Sequence, residues 1–96
     1  MKTVNLRFFA GNECPLCAIV FKWIQLYKFP YIYIDAFADE YQDLCDDNDV
    51  EELPHVQIII NKKVCANLVG DFTHDEFISF LLNNIPDEIG EIDGIK

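Results

Sequence analysis

Basic residues are scarce. Seven Lys and Arg stand against 17 Asp and Glu in 96 residues, for a formal charge of -10. Without clustered Lys or Arg there is nothing to hold a phosphate backbone, so nucleic acid is excluded as a direct partner, and anionic membranes with it. Long apolar runs are missing too: no stretch approaches the roughly 20 residues that a bilayer span needs. Lys2 followed by Val4, Leu6, Phe8, Phe9 and Ala10 imitates a secretory signal, but Arg7, Asn12 and Glu13 interrupt it. The four cysteines are too few and too scattered for a disulfide framework, so a reducing, cytoplasmic setting is expected. Internal repeats and low-complexity segments are also lacking.

Apolar material is plentiful. The chain is 51% hydrophobic, with eight Phe, four Tyr and one Trp, enough to offset chain entropy without a structural metal or disulfide. Its length suits one domain, and the net charge opposes self-association, so a monomer is expected. The domain is assigned to residues 1–85 and an acidic C-terminal tail to 86–96.

Val4, Leu6 and Phe8 alternate with polar residues over 3–10, which predicts a strand ending at Gly11-Asn12. Pro15 suits the first turn of a helix, and Val20, Phe21, Ile24 and Tyr27 follow at helical spacing to about Lys28. Tyr31 to Ile34 reads as a buried strand flanked by helices, completing a parallel βαβ unit. Asp39, with Gln42 three residues on, is expected to cap a second helix through about Cys45, which the acidic run Asp46 to Asp49 ends. Val56 to Ile60 and Val64 to Val69 flank Asn61-Lys62-Lys63 as an antiparallel hairpin. A Thr73/Glu76 capping box opens the last helix, with Phe77, Ile78, Leu81 and Ile85 facing inward and Pro86 stopping it. The order βαβαββα implies an α/β fold with a mixed four-stranded sheet and helices for both faces.

Chemistry concentrates at Cys14-Pro15-Leu16-Cys17, where a strand gives way to a helix. Free backbone N–H groups and the positive end of the helix dipole favour a thiolate at Cys14, below the ordinary acidity range of a free thiol. Cys17, one turn inside, is placed to attack a mixed disulfide formed at Cys14. The other source of such a pair is half a zinc site. Cys45 and Cys65 are isolated and His55 and His74 lack a finger or ribbon spacing, so no metal is expected.

On Cys14-Pro15-Leu16-Cys17, on Leu53-Pro54 before the hairpin and on Val69-Gly70-Asp71 before the last helix, the sequence resembles the thioredoxin/glutaredoxin superfamily over nearly all of residues 1–85. The resemblance implies a thioredoxin-like fold and a dithiol oxidoreductase whose redox-active centre is Cys14/Cys17, with no further cofactor. It implies a cis Pro54 beside the dithiol, Leu53 pairing its backbone with substrate, and Pro15, Leu16, Gly70 and Asp71 around the substrate. Disulfide-bearing proteins such as a ribonucleotide reductase are the implied substrates, and a thioredoxin reductase or glutathione the implied electron donor. The Cys-Pro-x-Cys motif resembles glutaredoxins and the step from Pro54 to Gly70 resembles thioredoxins. Glutathione carries two carboxylates and Glu13 precedes the nucleophile, which tilts the donor towards thioredoxin reductase. A non-catalytic thioredoxin-fold interaction module is the alternative from another class.

The remaining polar and sulfur-bearing residues take plainer readings. Cys45 and Cys65 are expected as small buried hydrophobes rather than redox sensors. His55 is expected at an edge or on the surface, and His74 only within its capping sequence. Trp23 and Phe21 read as packing and helix surface, and Asp46 to Asp49 as a solvated loop without calcium-loop spacing.

Overall fold

A computed structural model describes residues 4–85. The acidic tail 86–96 and the helix stop at Pro86 lie outside the described residues. Strand β1 (Val4–Ala10) leads to helix α1 (Pro15–Leu26) and strand β2 (Tyr31–Asp35). A 3-10 turn (Asp39–Tyr41) runs into helix α2 (Gln42–Asp47), and strands β3 (His55–Ile60) and β4 (Lys63–Val69) precede helix α3 (His74–Asn84). The sheet order is β2-β1-β3-β4, with β1 parallel to β2 and antiparallel to β3, and β3 antiparallel to β4.

The period of two along β1 divides the core between the faces. Leu6, Phe8 and Ala10 join Val56 and Ile58 of β3 beneath Cys17, Val20 and Ile24 of α1 and Phe77, Phe80 and Leu81 of α3. Phe9 points the other way, to Ile34 and Cys45 under α2. Each fully buried Phe or Leu is worth roughly 1.5 to 3 kcal/mol over exposure, so the larger α1/α3 side carries most of the stability. The α2 side of β3 is polar instead. Gln57, 1% exposed, accepts from Arg7 Nη1 at 2.8 Å and donates to Asn48 Oδ1 at 3.1 Å and Asn67 Oδ1 at 3.0 Å.

Four expectations need correction here. Strand β2 is an outer strand, so Tyr31, Ile32 and Tyr33 are exposed and only Ile34 is buried. Asp39 does not cap α2: Ala38 starts the 3-10 turn with no side-chain cap, and Gln42 Nε2 instead donates to the carbonyls of Ala36 and Ala38. The hairpin turns on two residues, Asn61 and Lys62, both at positive φ (51° and 70°), because that twist matches the flanking strands; Lys63 already pairs with Ile60. Cys65 is exposed, not buried. Ile58 and Ile59 pair with Ala66 and Val64, which leaves Cys65 as the extra residue of a bulge.

Candidate functional site

The β1–α1 junction is tightly wound. A Cβ on Gly11 would collide with the Phe37 ring and come within 3.2 Å of Leu53 Cδ1, so glycine lets the loops after β1, after β2 and before β3 meet with these side chains as they stand. Cys14 is then the N-cap of α1 in extended backbone, and Pro15 takes N1, where its missing N–H costs nothing. The Cys14 and Cys17 sulfurs are joined as a disulfide, with Cα atoms 5.2 Å apart. Cys17 N–H donates to Cys14 Sγ at 3.2 Å. That donor and the helix terminus favour negative charge on Cys14 once the disulfide opens. Cys14 is half-buried while Cys17 is 2% exposed, so the outer sulfur is the one a substrate reaches.

Two further loops lie at the same end of the sheet as the disulfide. The Leu53-Pro54 bond is cis, Pro54 is buried and Leu53 half-buried. Gly70 N–H donates to Pro54 O at 3.0 Å, which ties the start of α3's approach to the loop before β3. Gly70 has φ 86°, a left-handed conformation that L side chains rarely adopt, so its place is set by backbone conformation. Pro15, Leu16 and Asp71 are exposed around this rim.

The rim is acidic and apolar. Glu13, Glu52 and Asp71 are exposed at the end of the sheet that carries the disulfide, and so are Leu16, Phe37 and Val69. Lys62 and Lys63 sit at the β3–β4 hairpin and Lys28 just past α1, all at the opposite end of the sheet. A cavity of about 270 Å³ opens on the other flank of the disulfide, lined by Gly11, Asn12, Cys14, Cys17, Ala18, Phe21 and Tyr33.

Sequence reasoning missed the contributions of Phe37, Phe21 and Tyr33. Phe21 was open to discovery, since Cys14, Cys17, Ala18 and Phe21 share one helical face at i, i+3, i+4 and i+7. Tyr33 was concealed by a run that looks buried until the strand order is known. His55 also departs from expectation: it is 3% exposed, bonded through Nε2 to Asn67 Oδ1 at 2.8 Å and tilted against Phe9, because β3 is a central strand covered on both faces. His74 does more than start a helix. Its Nε2 lies 2.7 Å from Tyr27 Oη and its ring stacks on Tyr27, which joins α3 to α1. Among the described residues no three His, Cys, Asp or Glu side chains converge as a metal-binding group, and no helix is long and apolar enough to cross a membrane.

No protein-family model matches the chain. No curated protein matches it by sequence either. Solved structures do match. Thioredoxin 1 of the thermophilic eubacterium Thermosipho africanus TCF52B superposes with a TM-score of 0.70 at 18% identity, covering 82% of this chain and 91% of that one. Thioredoxin f2 of Chlamydomonas reinhardtii gives 0.73 at 15% identity over 86% and 80%. A thioredoxin f2 in complex with ferredoxin:thioredoxin reductase gives 0.69 at 13% identity over 84% and 77%. The chain therefore has the thioredoxin fold, with a CxxC disulfide at the N-terminus of its first helix.

Proposed function

We propose that this thioredoxin-fold protein is a thiol-disulfide oxidoreductase that reduces protein disulfides through Cys14 and Cys17. The observation that carries the reading is the unequal burial of two bonded sulfurs at a helix N-terminus: one accessible for attack, the other held one turn behind it. In the reduced protein, Cys14 thiolate attacks one substrate sulfur, and the other substrate sulfur leaves as a thiolate. Cys17 then attacks Cys14 Sγ, so the Cys14–Cys17 bond forms, the mixed disulfide breaks and the second substrate thiolate departs. Two electrons pass to the substrate, and the two protons of the dithiol end on its thiols.

Substrate backbone pairs with Leu53 beside Pro54, while Pro15, Leu16, Gly70 and Asp71 form the rim around it. A protein reductase of the thioredoxin-reductase type recharges the pair, supported by the reductase seen bound to a thioredoxin of this fold and by the acidic rim, which disfavours the two carboxylates of glutathione. A ribonucleotide reductase disulfide is one candidate substrate, and the cytoplasm the compartment that suits the chemistry.

The test is reduction of insulin disulfides, with NADPH plus a flavin-dependent thioredoxin reductase in one arm and glutathione plus its reductase in the other. The first arm is expected to turn over faster, and Cys14→Ser to abolish turnover in both. Wild-type turnover no faster than Cys14→Ser would instead identify a non-catalytic interaction module.

A further inference from the structure

We propose that the cavity between α1 and β2 is a substrate side-chain subsite, taking a bulky aliphatic or aromatic residue adjacent to the reacting cysteine. The inference rests on the oxidoreductase reading and deepens it.

Position is the first argument. Strands β2 and β3 lie on opposite sides of β1, so Tyr33 on β2 and Pro54 before β3 flank the disulfide from opposite sides. Neither Leu53 nor Pro54 lines the cavity. Because both cysteines line it, a chain bonded to Cys14 Sγ is anchored at its wall.

Chemistry and size identify the occupant. None of the lining side chains is charged, and Glu13 is exposed beside the mouth, so an acidic residue finds no counter-charge and meets repulsion. The walls are aromatic and mutually braced: Phe21 meets Tyr33 edge-on at 5.1 Å and Tyr31 at 5.3 Å, and Tyr33 meets Phe8 at 5.6 Å. A braced wall loses little freedom when a side chain enters, which is the condition for net binding. The volume of about 270 Å³ leaves room for a bulky side chain.

The experiment uses the reduced Cys17→Ser protein and two symmetric peptide disulfides competing for Cys14, whose thiolate bonds to one peptide sulfur as the other peptide leaves as its thiol. One peptide has leucine on both sides of its cysteine, the other serine. The leucine peptide is expected to win by about tenfold, within the range set by hydrophobic pockets. Adding Ala18→Leu, which fills the cavity from an exposed helical position, is expected to bring the ratio below about twofold. Adding Tyr33→Ala on the outer strand is expected to lower it too, and circular dichroism checks that each variant is folded. A ratio under about twofold in Cys17→Ser, or a tenfold ratio that survives both additions, overturns the subsite. Insulin reduction by the wild type is measured alongside. Turnover without peptide preference sinks the subsite alone, preference without turnover sinks the oxidoreductase reading alone, and failure of the mixed disulfide to form sinks both.

Discussion

Cys45 and Cys65 carry the same thiol in opposite surroundings. Burial between α2 and the sheet pushes the Cys45 thiol above its ordinary 9.0, with Asp46 adding to the effect, whereas Cys65 stands exposed at the bulge. In the protein with its disulfide intact, iodoacetamide at pH 8 is expected to label Cys65 at least tenfold faster than Cys45, as mass spectrometry of the digested protein would show. Because folding raises the Cys45 value, the native state binds that proton more tightly than the unfolded chain does. The resulting stability is complete below about pH 9 and is lost as pH rises through the folded-state value. Thermal melts from pH 8 to 10.5 should therefore fall more steeply for the wild type than for Cys45→Ala. At Cys14 the surroundings differ: its sulfur sits at a helix N-terminus and accepts from Cys17 N–H. Cys14 of the reduced protein is expected to alkylate faster than Cys65 at pH 7, and Glu13→Gln to speed it further, as mass spectrometry of timed samples would show.

At the scale of elements, the last helix was the most legible, because its signals are local. Thr73 Oγ1 accepts from Glu76 N–H at 3.1 Å and Thr73 N–H donates to Glu76 Oε1 at 3.0 Å, the reciprocal box that the four-residue spacing announces. Thr73→Ala is expected to cost about 1 kcal/mol in urea denaturation. Strand β1 and the start of α1 were equally plain from alternation and from Pro15. What the sequence concealed was set by neighbours far away in the chain. Tyr31 to Tyr33 have the composition of a buried strand and became an outer one only through the strand order. Gln57 sits in an apolar run, yet Arg7, Asn48 and Asn67 converge on it from three other segments. Gln57→Leu strips those three of their shared partner and is expected to destabilise by about 1 to 3 kcal/mol, more than the added apolar area returns. For the site, the CxxC spacing was legible, while the cavity beside it needed the packing of β2 against α1.

At the scale of the whole molecule, Glu13, Glu52 and Asp71 are exposed at the end of the sheet that carries the disulfide, and Lys28, Lys62 and Lys63 stand at the far end. Such a field speeds the approach of cationic partners and is weakened by salt. Reduction of a cationic disulfide peptide is expected to slow several-fold between about 20 and 300 mM salt, and that of an anionic analogue to quicken, which initial rates at varied ionic strength would reveal. The seam between α1 and α3 has a different use. Trp23, the chain's one tryptophan, is wedged there against His74 at 4.9 Å, Phe77 at 5.7 Å and Phe72 at 6.3 Å. The molecule thus carries its own fluorophore at the joint between two helices, one of which begins at the disulfide. Parting of that joint admits water to the indole and shifts its emission to the red, so unfolding can be followed by light without any label.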